Sequence, residues 1–373
     1  MEKKLLSTAV AAALVGSMGI AQADSTLYGN VNLSINNYDV DQGDSDTNME
    51  SNTSAIGVKG SEDLGNGLSA IYQAEFQFDA ANGTTGNWTG RDQFVGLSTK
   101  KLGKVRFGTL STTYKGYGAT VDPLYRTSLE GRSHGLQSQL HRGKGENGQG
   151  RMTRHIRYDS PSWAGFGFSA DYSLDENDPD ASDDNTYGGG INYKNDGILD
   201  GLWLGAAYIT SDQGGDDDAY KFGAKLNWGN FGLYGQYEHD GGLISGQLQG
   251  GNTDTAPLPD TTDGQNMWFA ALSYTWGNTL LYGGYGEGDN ANNSTNLANS
   301  GGVANLDSGF SSWTVAVDHK LSKRTDVYAG YNKLDCNNYV GSVCGGANLQ
   351  GPNPPGTEDG SDDFFSVGLR HKF

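Results

Sequence analysis

Cysteine, proline, cationic residues and long apolar runs are all scarce in this chain. Two cysteines in 373 residues exclude a disulfide scaffold. They form neither a C-x-x-C motif nor a Cys/His zinc pattern. Hydrophobic residues make up 35% and mean hydropathy is −0.58, which excludes a helical membrane protein. Lys and Arg number 25 against 44 Asp and Glu, a formal charge of −19, so the chain is no general nucleic-acid binder. Only 8 prolines accompany 58 glycines, and the glycines have no collagen-like period. The 6 histidines show no HExxH or other metal-ligand spacing.

What is abundant is glycine and aromatic side chains: 20 Tyr, 13 Phe and 7 Trp argue against a disordered polar chain. The one apolar run lies at the start. Two lysines (Lys3, Lys4) precede Leu5 to Ile20, and Ala21-Gln22-Ala23 follows as an A-x-A site. This reads as a secretory signal peptide over residues 1–23, cleaved after Ala23, leaving 24–373 with a charge of −20. An exported chain meets an oxidising compartment, so Cys336 and Cys344 are expected to join in a local disulfide. Two free loop thiols are the alternative.

Strand patterns recur from end to end, and no segment has helical periodicity. Val31, Leu33 and Ile35 alternate with asparagines and Ser34. Tyr72, Ala74 and Phe76 alternate with Gln73, Glu75 and Gln77. Phe222, Ala224, Leu226 and Trp228 alternate with Gly223, Lys225 and Asn227. A soluble sandwich would turn the apolar face inward. A transmembrane barrel turns it to lipid around a wet lumen. The polar face carries Gly, Asn, Gln, Lys and Arg, as a lumen allows, and bulky runs that could fill a soluble core are missing.

Connection lengths decide between the two. Short turns fall at 62–67, 100–103, 161–165, 196–201, 229–230, 277–278 and 322–324. Long loops fall near 40–52, 79–90, 111–150, 173–185, 212–218, 241–264, 289–308 and 335–362. Seven short and eight long connections predict an all-β fold: a sixteen-stranded antiparallel transmembrane β-barrel with short periplasmic turns and long external loops. Two turns read Trp-Gly-Asn, placing Trp228 and Trp276 at one membrane interface.

Several segments resemble general Gram-negative porins. Ser54 to Glu75 (SAIGVKGSEDLGNGLSAIYQAE) is similar to their second and third strands, and Arg91 to Leu110 to the next hairpin. Arg157 to Phe166 (RYDSPSWAGF) resembles the segment after the constriction loop. Val367 to Phe373 (VGLRHKF) resembles the closing strand with its C-terminal Phe, and the resemblance implies that Phe373 is the assembly signal for the barrel-assembly machinery. The resemblance implies a homotrimeric, water-filled diffusion channel whose third loop folds inward, here residues 111–150. A loop of that length without strand pattern is itself a functional signal. Its Tyr114, Tyr117, Leu124, Tyr125, Leu129, Leu136 and Leu140 can pack against a wall. The compact Pro-Glu-Phe-Gly-Gly loop motif of better-known relatives is missing.

The net charge hides a segregation. Between Arg91 and Arg157 stand 13 Lys and Arg against 4 acids, a local +9 that leaves −28 elsewhere, mostly on long loops. Strand parity turns Lys59, Lys104, Arg106, Arg151, His155 and Arg157 inward and Arg154 outward. Phe94 read as outward puts Arg91 inward. The pore-lining basic set is Lys59, Arg91, Arg106, Arg151 and Arg157, of which Arg91 and Arg151 match the family's basic wall. Two other basic-wall positions are Asn30 and Ala55 here. Glu75, Asp122 and Glu130 are the acidic constriction candidates. Basic wall and acidic loop would together make a transverse field that passes small hydrophilic solutes and ions.

No cofactor and no nucleic-acid partner is called for. The weak calcium-loop pattern from Asp39 to Glu50 reads as a solvated acidic loop. Loose divalent cations could still bridge the acidic loops to lipopolysaccharide or other outer-membrane lipid. No catalytic Ser/His/Asp set is evident, so an enzyme is not expected. The alternatives are a substrate-selective porin with a basic binding track and a surface adhesin or phage-receptor barrel.

Overall fold

Alternating faces become a single hydrogen-bonded sheet. The computed structural model describes residues 24–40, 45–83, 88–134, 136–137, 150–174, 185–195, 201–211, 217–240, 265–289, 309–336 and 360–373. The first strands are β1 (Asp24–Val40), β2 (Asp46–Ser51), β3 (Ala55–Gly65), β4 (Leu68–Gln77), β5 (Thr89–Thr99) and β6 (Gly103–Ser111). A short helix, α1 (Thr113–Val121), comes next. Then follow β7 (Arg151–Asp159), β8 (Phe166–Ser173), β9 (Thr186–Asn195), β10 (Leu202–Ser211), β11 (Asp217–Trp228) and β12 (Phe231–Asp240). The last are β13 (Gln265–Trp276), β14 (Thr279–Gly288), β15 (Phe310–Lys320), β16 (Thr325–Cys336) and β17 (Gly360–Lys372).

Neighbouring strands are antiparallel, and β1 pairs with β17 to close the barrel. Both β2 and β3 pair with β1. They form one stave interrupted at 52–54, where Thr53 takes φ 58°. The wall therefore has the sixteen staves expected from the turn pattern. The expected first loop, 40–52, is shorter in the structure because 46–51 continues the sheet as β2.

The apolar face points outward. Leu27, Ile35, Val95, Phe222, Leu281 and Leu369 are exposed, while Asn32, Ser34, Asn36, Ser312, Asn332 and Ser366 are buried on the inner side. In water that pattern would be inverted; against hydrocarbon it leaves no edge and few unpaired backbone groups. Trp228 and Trp276 are each 75% exposed beside the two-residue turns. Tyr208, Tyr237, Trp268 and Tyr285 form the matching exposed aromatics toward the opposite end. Gly229 and Gly277 have φ 59° and 60°, the positive first position that a tight hairpin turn of this kind needs.

The seam uses the terminal residue. Phe373 N donates to Gly29 O (3.0 Å) and Gly29 N donates to Phe373 O (3.2 Å). The ring covers Gly29 so closely that a Cβ there would stand 2.5 Å from it.

Two expectations are corrected. Phe94 faces inward, not outward: Val95 and Leu97 are the exposed neighbours, and Arg106 stacks on the Phe94 ring at 5.2 Å. The simple alternation fails because a bulge places Arg91 and Asp92 together opposite Glu75. Arg91 thus faces inward for a different reason than parity. A second bulge sets Thr153 and Arg154 against Thr109, with Arg154 at φ 46° and exposed. The other correction is α1, which no periodicity announced.

Candidate functional site: the inner loop and the charged wall

The segment after β6 crosses the lumen side of the wall. Thr112 caps α1 by accepting from Lys115 N (3.1 Å), and Asp171 accepts from Thr113 N (2.9 Å) at the helix start. Tyr114 is buried against the Lys221 ammonium (3.8 Å to the ring centre), and Lys221 pairs with Glu238 at 2.5 Å. Tyr117 stacks edge-on against Trp203 (5.2 Å) and donates to Asn192 (3.1 Å). Wall glycines make room for this: a Cβ at Gly190 would lie 2.9 Å from Tyr117 and 3.0 Å from Thr113.

Beyond α1 the loop reaches the opposite wall. Leu124, Leu129 and Leu136 pack with Tyr234, Phe269, Tyr282, Tyr328 and Phe364. Leu129 fills the notch over Gly330, where a Cβ would stand 2.5 Å from its methyl. Ser312 donates to His134 O (2.5 Å), Ser128 bonds Ser366 (2.5 Å), and Asn32 donates to Arg126 O. Of the residues expected to pack, Tyr114, Tyr117, Leu124, Leu129 and Leu136 are buried and Tyr125 is half-buried. Leu140 lies outside the described residues.

The charged wall runs along β3 to β8. Arg91 pairs with Glu75 and donates to Gln77 (2.7 Å); Tyr28 also donates to Glu75 (2.8 Å). Lys59 stands over the Tyr28 ring at 4.8 Å. Arg151 pairs with Asp92 (2.7 Å), which Ser111 also bonds (2.9 Å). Arg106 and Arg157 share Asp159 at 2.5 and 2.8 Å, with Lys104 at 4.0 Å. His155 spans Asp171 (2.9 Å) and Leu110 O (3.2 Å). The structure thus gathers Lys59, Glu75 and Arg91 around one cluster, and Arg106 with Arg157 around another. Asn30 donates to Thr53 O (3.0 Å).

The two loop acids turn toward the loop's own backbone. Asp122 accepts from Leu124 N and Gly131 N, both at 2.9 Å. Glu130 accepts from Arg126 N (2.9 Å) and from Arg132 (2.5 Å). Burial, and then the neighbouring Glu130 charge, push the Asp122 carboxyl up to about 7 against the pull of those two amides. The loop itself presents cations: Arg126 and Arg132 flank the Tyr125 ring at 5.7 and 5.3 Å, and Arg126 reaches Glu75 at 3.8 Å.

Sequence reasoning missed Asp92, Asp159, Asp171, Arg126 and Arg370 as partners. Parity could have found Asp159 and Asp171, which share the inner face with Arg157 and His155. Alternation counted from Val95 and Leu97 would have found Asp92 on the inner face, while no local signal marks the bulge that brings Arg91 there as well. Pairing of Cys336 with Cys344 lies outside the described residues. No group of three or more His, Cys, Asp and Glu able to hold a metal occurs among the described residues.

A sequence profile of Gram-negative porins matches residues 7–339. An outer membrane porin of Bordetella pertussis is 28% identical over 418 aligned positions, covering 100% of both chains. The major outer membrane protein P.IB of Neisseria sicca is 30% identical, also over 100% of both. Among solved structures, the anion-selective porin from Comamonas acidovorans superposes with a TM-score of 0.70 at 23% identity, covering 94% of this chain and 100% of that one. OmpF of Salmonella typhi gives 0.67 at 19%, covering 94% and 97%.

Proposed function

This chain belongs to the Gram-negative porin family, and we propose that its inner loop narrows the passage and makes it prefer anions. It is an outer-membrane channel for passive diffusion of ions and small hydrophilic solutes, not an enzyme. The observation that supports the preference is which charges remain accessible. Around the loop, Glu75, Asp92, Asp159, Asp171 and Glu238 each have a Lys or Arg within 4.0 Å, Arg157 at 3.8 Å in the case of Asp171, and are 23% exposed or less. Lys104 and Arg126 stay 43% and 34% exposed, and Lys59 is exposed as well. A solute passing here meets Lys59, which has no ion pair among the described residues, and the exposed parts of Arg126 and Lys104, whose carboxylate partners stand only at 3.8 and 4.0 Å. In a narrow passage with low-dielectric walls such charge raises the local anion concentration.

Arg91, Arg106, Arg151 and Arg157 then serve chiefly to brace the wall and hold its carboxylates, while Lys59 and Arg126 line the path. Asp122 and Glu130 shape the loop from within. Further parts of the reading are a homotrimer, cleavage after Ala23, a Cys336–Cys344 disulfide, Phe373 as the signal for the barrel-assembly machinery, and lipopolysaccharide around the outer rim. Loose divalent cations at the acidic loops belong to that rim.

Purified protein in a planar bilayer under a salt gradient tests the reading. Conductance should rise in groups of three steps, with a reversal potential of the sign set by anion flow. An ion-tight barrel, or a cation-signed potential, would overturn it.

A further inference from the structure

The end of the barrel carrying the short turns has one strongly basic corner. Lys320 closes β15, Lys323 and Arg324 form the turn to β16, and Lys372 closes β17. All four are exposed or half-buried, and none makes an ion pair among the described residues, in a chain whose acids outnumber its bases by 44 to 25. The rim's own acids are already engaged: Asp318 and Asp326 hold Arg370 at 3.4 and 2.9 Å.

The corner is ordered. Leu321 N and Ser322 N donate to Thr325 O (2.9 and 3.0 Å), and Arg324 N donates to Ser322 Oγ (3.1 Å). Lys372 N donates to Arg324 O (2.8 Å), tying the turn to the last strand. On the lipid-facing side two cross-strand pairs repeat: Thr279 with His319 (2.8 Å) and Thr325 with His371 (2.9 Å). Each uses the ring's Nδ1 and leaves Nε2 without a protein partner among the described residues. Exposed Leu321, Trp276 and Phe373 lie beside them on the outward face.

We propose that this corner binds the head group of an anionic glycerophospholipid in the periplasmic leaflet. Lys323 and Arg324 meet the phosphate, His319 and His371 face its oxygens, and Leu321, Trp276 and Phe373 border the acyl chains. Cations beyond an aromatic interface sit at head-group depth. The selectivity follows from charge: Lys323 and Arg324, exposed at the turn and without an ion pair among the described residues, favour a net-negative head group, while Lys320 and Lys372 share the inner-face parity of Asp318 and Arg370 and only add to the local positive field. A choline head group would bring an ammonium with nothing to meet. The assignment to the periplasmic leaflet rests on the proposed outer-membrane channel having its short turns on the periplasmic side, the orientation expected from the turn pattern.

Native mass spectrometry of the full protein in detergent, titrated with phosphatidylglycerol or with phosphatidylcholine of the same chains, tests this. Phosphatidylglycerol should be retained about tenfold more tightly, at about fivefold for each basic contact and partial screening. Lys323→Gln with Arg324→Gln should bring the two lipids to parity, and His319→Gln with His371→Gln should narrow the gap. Equal retention by the parent overturns the proposal. So does an equal loss in Lys100→Gln with Lys101→Gln, which would make the preference one of total charge. Full displacement by millimolar inorganic phosphate would mean a free-phosphate site and overturn it too. Bilayer conductance of the same preparations reads the channel separately. Labelling of Lys323→Cys by a 5-kDa maleimide in intact cells would overturn the orientation alone.

Discussion

Replacing Asp122 by asparagine separates the charge of this side chain from its shape. In the packed loop the carboxyl is buried near Glu130, and burial and that charge push its titration up to about 7 from 3.8. Ionising it in place therefore costs about 4 kcal/mol. The raised value fixes the sign. A released loop would ionise Asp122 near 3.8, while the seated loop keeps it neutral until about 7. Seating is strongest below pH 4, weakens by about 1.4 kcal/mol per pH unit between 4 and 7, and is flat above. Asparagine carries no such slope. It has one acceptor oxygen for two amides, Leu124 N and Gly131 N, and so gives up about 1 kcal/mol. The variant should seat more weakly by about 1 kcal/mol at pH 4 and more tightly by about 3 kcal/mol at pH 8, crossing near pH 5. Hydrogen exchange of the Leu124–His134 amides, compared with the parent at each pH, reads this directly. About a hundredfold greater protection is expected at pH 8. A variant-to-parent ratio that stays constant from pH 4 to 8 would refute the reasoning, because it would mean Asp122 stays ionised in the seated loop.

Three other perturbations follow from the same geometry. Leu129→Ala empties the notch over Gly330 at a cost of about 3 kcal/mol. Single-channel records should show more open-state noise while the heat resistance of the barrel persists. Lys221→Met takes the ammonium away from the buried Glu238, so it should lower the unfolding temperature more than Lys221→Met with Glu238→Leu. A double variant no better than the single one would show that the pair is not coupled. Arg126→Glu replaces an accessible cation of the loop by an anion and should move the reversal potential toward cation preference. An unmoved potential would place Arg126 outside the ion path.

The staves, their facing and the closing strand were legible because each is a local signal: alternation within ten residues, turn chemistry at the ends, a terminal aromatic. The loop leucines and tyrosines were legible for the same reason, since apolar side chains in a wet interior must find cover. Parity failed at Phe94, where one extra residue at Arg91-Asp92 reverses the alternation without any mark in the sequence. The charge segregation around 91–157 was visible, but parity says which side chains share a face and nothing about who pairs with whom. Thus Asp122 and Glu130 carried the expected sign, while their bonds run to loop backbone and to Arg132. The helix α1 escaped because its stability is tertiary, drawn from Tyr114 and Tyr117 on the wall more than from propensity in a sequence with two internal glycines.

The hydrogen bonds between Gly29 and Phe373 join the start of the folded chain to its last residue. A barrel with this seam cannot be completed stave by stave during export. Until β17 arrives, β1 and β16 each offer a long unpaired edge. Closure is thus a test of whether β17 is present. A chain that lacks it keeps an open sheet, which proteases and edge-to-edge association can recognise. Pairing of β17 with both neighbours withdraws that invitation in one step.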